Sequence, residues 1–335
     1  MKTFISISAL FLSLSLTAQT ANWYYNPTSG NGIQTTFQNS ASGSISIAMG
    51  LGTTASGQYS TAMGVETTAS GERSTAMGHQ TEASGEFSTA MGRETTASGK
   101  YSTAMGLETT ASSYSSTAMG QRTTAGGGSS TAMGYQSTAS GGASTAMGDN
   151  TEASGSVSTA MGEQTIASDY NSLAVGRYNL LGSTITTSAT EFSLDNTAFV
   201  IGNGTASNNR SDALVVKFNG DATLAGNLNI NSDARLKSNI ISLGSTLSKL
   251  LQIDGKSYTM KKDESEKQKI GLLAQDIEKV FPELVSESNG IKSVNYQGLV
   301  PVLINALKEQ EEKIKSQERK LLRLESLVQD LIDNQ

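Results

Sequence analysis

The chain has 335 residues, 24 Lys+Arg against 30 Asp+Glu, a net charge of −6 and no cysteine. The acidic balance disfavours nucleic acid and anionic membrane surfaces as partners, and the missing thiols exclude disulfides, cysteine nucleophiles and Cys-ligated zinc. With 34 Gly, 8 Phe and 1 Trp in all, long side chains that could fill a wide core are scarce in the first two thirds of the chain.

MKTFISISALFLSLSLTAQTANW opens with one Lys and an apolar run from Phe4 to Leu16, followed by small residues. That is the pattern of a secretory signal over 1–18, cleaved after Ala18 or after Ala21, and too short to span a membrane. No other segment has enough continuous apolar residues to cross a bilayer, so the expectation is an exported, extracellular or cell-surface bacterial protein without an integral membrane segment. A linking segment, 19–43, follows.

From 44 to 176 one fourteen-residue unit recurs, as in ASGQYSTAMGVETT, ASGERSTAMGHQTE and ASGEFSTAMGRETT. Met49, Met63, Met77, Met91, Met105, Met119, Met133, Met147 and Met161 mark it, with Val175 in a tenth copy. A strict short period predicts a stack of units, each buried against its neighbours. Gly, Ser-Gly and Thr-Thr argue for strands and turns, so one unit reads as one coil of a β-solenoid. Ten coils at about 4.8 Å each make a rod of roughly 48 Å. By strand alternation the Ser, Ala and Gly of STAMG face one way and Thr and Met the other. The small set predicts a thin interior. The Thr–Met set predicts an apolar stripe for identical chains, and a homotrimer closes that arrangement. His79 falls at a variable repeat position and reads as surface. A Thr-lined rod can also bind ice, although the variety after Met-Gly (Val-Glu, His-Gln, Arg-Glu, Asp-Asn) fits a flat ice-matching face poorly.

STAMGxxTxASGxxS resembles the SVAIGxxAxASGxxS repeat of YadA-like trimeric adhesin heads, with Thr for Val and Met for Ile. The resemblance implies a left-handed parallel β-roll in a trimeric surface fibre, with adhesion to an unknown host or environmental ligand as one role and plain spacing as the other.

Between 177 and 231 the period is lost. Short β-type runs at Ala198–Ile201 and Ala213–Phe218, with an Asn219-Gly220 turn, predict a β-rich stem. The Asn/Asp cluster from Asn208 to Asp212 reads as turn chemistry rather than a metal site.

At Asn231 the composition changes. Residues 1–231 carry 8 basic and 14 acidic side chains, whereas 232–335 carry 16 of each. A helical spacing over Ile240–Leu251 precedes a polar hairpin-like stretch through Lys261–Lys269. Ile270 to Ala274 then reads as a buried strand leading into a helix, Gln275–Val280, which Pro282 limits. A long amphipathic helix begins after Tyr296. Its heptads, about 299–333, place Val300, Leu307, Ile314, Leu321 and Val328 at a, and Leu303, Gln310, Gln317, Leu324 and Leu331 at d. That pattern predicts a coiled coil whose two Gln layers restrict register.

SDARLKSNI, GLLAQDIEKVFPELV, KSVNYQGLVPVLINALKE and the heptads, in that order, resemble the intramolecular chaperone domain of phage endosialidases and tail fibres. The resemblance implies that 232–335 trimerises, helps the preceding fibre to fold and cuts itself off before the Ser of S-D-x-R-L-K. Carried onto this chain, the scissile bond is Asn231–Ser232, the nucleophile Ser232 and the base Lys237, acting once on its own chain with no cofactor and no metal. A lysine of pKa ~10.4 is neutral in about one molecule in 2,500 at pH 7, and a drop of ~3 units on burial makes it a competent base. Residues five apart lie ~7.5 Å apart along a helix and ~17 Å apart along a strand, so the pair needs a turn or a neighbouring chain. The expected whole is a mainly β chain, with rod and stem followed by a mixed α/β tail that ends in a trimeric coiled coil. An uncleaved fibre with the tail as a permanent foot, or Ser232-Asp233 as a plain helix cap, remains open at this point.

Overall fold

The computed structural model describes residues 24–26, 32–34, 38–182, 188–261 and 267–334; the segment 1–18, expected to be a secretory signal, lies outside them. The chain divides into two compact units, Met1–Leu228 and Asn229–Gln335.

The first unit is a parallel β-solenoid. Each repeat contributes one five-residue strand, such as Thr61–Val65, and one two-residue strand, such as Thr68–Ala69. Equivalent strands stack in register, Met63 on Met77 and Thr68 on Glu82. Coil-to-coil bonds such as Thr61 N–H to the Ser74 carbonyl (2.9 Å) run the length of the rod.

The interior is thin, as the small side chains require. Among the described residues twenty alanines, from Ala41 to Ala174, are fully buried at every seventh position. Ser and Thr residues such as Ser60, Thr67, Ser74 and Thr81 are buried beside them at the same interval. The fourteen-residue coil is therefore two seven-residue half-coils with the shared pattern Ser/Thr-Thr-Ala-x-Gly-x-x. The last residue of each half turns a corner in the left-handed region: Tyr59 (φ 59°), Glu66 (φ 53°), Arg73 (φ 56°) and Gln80 (φ 52°). Outside the core, the Thr and Met of each long strand stay half-exposed on the opposite face. The corners carry ladders with a fourteen-residue step, such as Glu108–Arg122 at 2.7 Å and the stacked rings of Phe87 and Tyr101 at 5.1 Å.

One buried column of the rod carries an asparagine at each end. The buried column Thr53, Thr67, Thr81 and onward is flanked by Asn39 at one end and Asn179 at the other, each buried. Asn39 Oδ1 accepts from Thr53 N–H (2.9 Å), and its Nδ2 donates to the Gly50 carbonyl (2.8 Å). Asn179 Oδ1 accepts from Ile166 N–H (2.8 Å), and its Nδ2 donates to the Ile166 carbonyl (3.0 Å). Before Asn39 the sheet continues, with Ile33 paired in parallel with Ile47 and Gln34 with Ala48. The stem continues its sheet: Thr197–Asn203 pairs in parallel with Leu173–Arg177, then antiparallel with Asp212–Lys217, which pairs with Ala222–Leu224. Arg210 donates to the Gln164 and Asn179 carbonyls at 2.9 and 3.0 Å.

The second unit packs around Ile277, Phe281, Leu299 and Val302. It contains the antiparallel pair Lys256–Tyr258 with Lys269–Gly271, the helix Ala274–Val280, the hairpin Val285–Ser288 with Ile291–Val294, and the long helix Leu299–Asp333. Two expectations are corrected here. The helix expected over Ile240–Leu251 is only Leu247–Leu250, because 240–245 stand in solvent with no face to bury. Ile270 is 87% exposed rather than buried, since the strand that carries it turns that side away from the core.

Candidate functional site

Residues 219–245 are exposed without interruption, and the Asn231–Ser232 bond lies inside this stretch. An exposed backbone with no ladder partner can take up local side-chain hydrogen bonds instead. Asp233 does this: it is the N-cap of a 3₁₀ turn, Ala234–Leu236, and its Oδ1 accepts from Arg235 N–H at 2.9 Å. The turn closes with Leu236 N–H on the Asp233 carbonyl and Lys237 N–H on the Ala234 carbonyl, both 3.1 Å.

The consequence lies at its ends. Lys237 Nζ donates to Ser232 Oγ at 2.7 Å, within one chain. A turn between the two residues meets the distance problem that helix and strand both leave unsolved. Arg235 folds back on Asp233 with a guanidinium fork, Nε to Oδ1 at 3.1 Å and a terminal NH₂ to Oδ2 at 2.7 Å. The Arg235 side chain, then its backbone N–H, hold the Asp233 carboxyl below its usual range.

The long helix positions the other candidate residues. Its first turns are anchored by Leu299, Val302 and Ala306, which are buried. Thr246 Oγ1 donates to the Val302 carbonyl at 2.9 Å. Glu309 receives Ser245 Oγ (2.6 Å), Leu247 N–H (3.2 Å) and Thr246 N–H, so it caps the short helix Leu247–Leu250. The Ser245 hydroxyl, then the Thr246 backbone, lower the Glu309 carboxyl. Beyond Ala306 no described residue of the helix is buried. Leu307, Ile314, Leu321, Leu324, Val328 and Leu331 form an apolar seam with 42 to 70% exposure, and the Gln310 and Gln317 layers stand between them.

The comparisons with known proteins fall on the same two units. Residues 41–67, 69–95, 97–123, 125–151 and 153–179 match the YadA head domain repeat, taken two copies at a time. Residues 232–286 match the chaperone of endosialidase, starting at Ser232. The chain carries a YadA-type head followed by an endosialidase-type chaperone domain. A long tail fibre protein, Gp37 of Salmonella phage S16, is 29% identical over 125 residues, which is 34% of this chain and 17% of the phage protein. The chain therefore spans less than a fifth of that relative's length.

Several participants escaped the sequence reading. The Asp233–Arg235 fork was visible only as the neighbouring letters of S-D-x-R-L-K. Glu309 lies more than sixty positions from the residues it caps, and no local pattern links them. The Asn caps had a usable signal, because Asn39 and Asn179 stand at multiples of fourteen from every Thr of the buried column.

Proposed function

We propose that the chain is the subunit of an exported homotrimeric fibre, and that its chaperone domain directs trimer assembly and then cuts the Asn231–Ser232 bond. The observation that carries this reading is the 2.7 Å contact of Lys237 Nζ with Ser232 Oγ at the start of the chaperone match. The exposed seam from Leu307 to Leu331 supports assembly, since a lone helix leaves that much apolar surface in water only until a partner covers it.

The reaction follows from the atoms in place. Neutral Lys237 takes the Ser232 Oγ proton as Oγ adds to the Asn231 carbonyl carbon. The intermediate collapses as Lys237 returns that proton to the Ser232 nitrogen and the C–N bond breaks. Asn231 is then held as an ester on Oγ. One water hydrolyses the ester, leaving a carboxylate on Asn231 and a free amine and hydroxyl on Ser232. The net change is one peptide bond and one water consumed.

A solvated lysine keeps its proton at pH 7, and burial releases it. In the single chain the turn is exposed. Neighbouring chains that covered it would switch the base on, so cleavage would report completed assembly.

The test is the intact mass of wild type beside Ser232→Ala, Lys237→Ala and Leu321→Asp. Wild type is expected to split, with the smaller fragment starting at Ser232, while Ser232→Ala and Lys237→Ala stay whole as trimers and Leu321→Asp stays whole as a monomer. Trimeric wild type that never splits would make the tail a permanent foot. Cleavage by monomeric Leu321→Asp would remove the assembly requirement.

A further inference from the structure

We propose that Asp233 and Arg235 are positioning residues for the Ser232–Lys237 pair: Asp233 folds the turn that brings the pair together, and Arg235 occupies the Asp233 carboxylate so that Lys237 is left to Ser232. This rests on the dyad reading above.

Six residues place four hydrogen-bonding side chains in one exposed turn. A carboxylate in such a turn has two cations within reach. Paired with Lys237, Asp233 would hold the ammonium protonated and draw it from Ser232, since an opposite charge within a few ångströms favours the charged form. Asp233 goes instead to Arg235. The guanidinium spans both oxygens, with Nε at 3.1 and 3.2 Å and NH₂ at 2.7 Å. Arginine suits this role because its planar fork binds a carboxylate bidentately and it does not give up its proton, which lysine can. The same Asp233 Oδ1 also accepts Arg235 N–H at 2.9 Å, so one carboxylate closes the turn and is neutralised by the residue it caps. Lys237 Nζ contacts Ser232 Oγ and forms no ion pair among the described residues. Asp233 and Arg235 are the charged side chains of the turn besides Lys237, and among the described residues their ion pair is with each other.

Two effects therefore separate by experiment. Arg235→Gln frees the carboxylate without touching the cap, and the expected result is a pH–rate profile of cleavage moved upward by about 0.5–1 unit, or a rate about 3–10-fold slower at pH 7. Arg235→Gln with Asp233→Asn removes the freed charge but keeps a side chain that caps well, and the profile is expected to return toward wild type. Asp233→Ala opens the turn, which lowers the rate at every pH. Cleavage is read by intact mass on trimers confirmed by light scattering, after wild type has split and Ser232→Ala has not; failure of that control sinks the dyad reading itself. With the control passed, an Arg235→Gln profile that coincides with wild type, or a double variant that stays shifted, overturns the assignment.

Discussion

The close approach of neighbouring coils makes one substitution act with opposite signs at two glycines. Gly106 lies in the long strand Thr103–Leu107 at φ +124°, and a Cβ built on it would sit 1.9 Å from the Gly120 carbonyl oxygen of the next coil. Such contacts require at least 3.0 Å, so the two strands must part by about an ångström. They pair over five residues, from Thr103 on Thr117 to Leu107 on Gln121. Loss of two or three ladder bonds at about 1 kcal/mol each, with about 1–2 kcal/mol for the backbone angle, gives roughly 3–5 kcal/mol for Gly106→Ala. Gly128 stands at an exposed corner with nothing within 4 Å of a built Cβ. There alanine restricts the unfolded chain and is expected to stabilise by about 0.4–1 kcal/mol. Urea unfolding of both variants in a Ser232→Ala background, which keeps the chain whole, measures the two shifts. Hydrogen exchange over 103–107 and 117–121 locates the Gly106→Ala damage. Midpoints that move together, or a Gly106→Ala midpoint equal to its parent, would refute the close-approach argument.

Three further outcomes follow from the same structure. Val157 is β-branched yet holds φ 61° at an exposed corner; Val157→Asn, which matches Asn171 one coil on, should stabilise by about 1 kcal/mol in urea titration, and a lower midpoint would contradict the strain. Asn179→Ala leaves the Ile166 N–H and carbonyl without their side-chain partner, so the last coil should lose about 2–3 kcal/mol and exchange its 152–167 amides faster, whereas unchanged exchange would deny the cap. Glu309, lowered by the Ser245 hydroxyl and the Thr246 backbone, contributes stability that is complete above the unfolded carboxylate value near 4.3 and is lost as pH falls through its lower folded value. Melting of the tail between pH 5 and pH 2.5 should show this loss in the Ser232→Ala chain and a smaller one with Glu309→Gln added; identical curves would remove Glu309 as the cause.

The rod was legible because its interactions are local and repeated. Strand alternation in STAMG already separated the buried Ser and Ala from the outer Thr and Met, and stacking multiplied that separation coil by coil. The half-coil symmetry was hidden for a chemical reason. Met-Gly in one half and Ser-Gly in the other look unlike as letters, yet Ala62 and Ala69 perform the same burial. The tail was less legible because its core is assembled over long separations. Ile277 meets Leu299 and Val302, and Leu250 joins them from the other side of a hairpin. Apolar residues outside that small core, Ile240 and Ile270 among them, gave helix-like or strand-like spacing with no face to bury. For Ser232 and Lys237 the spacing showed only that a turn or a second chain was needed to bring them together, and the turn capped by Asp233 lies between them.

The same repetition that made the rod readable gives the fibre an assembly problem. Within one chain, Asn39 and Asn179 cap the buried threonine column at its two ends. Between chains nothing in the repeats fixes the register, because the outer face offers Thr and Met at eight nearly identical levels and a slip of one coil exchanges each for its equal. Register in a proposed trimer must therefore come from outside the repeats, and the chaperone helix is aperiodic in the way required. Its Gln310 and Gln317 layers would meet Leu324 or Leu331 after any one-heptad or two-heptad slip toward the C-terminus, apart from the single step that lays Gln310 on Gln317. A guide that sets the ends is needed once. After the coils have closed, the proposed cleavage would take away the element that set the register and leave the hydrogen-bonded stack to hold it.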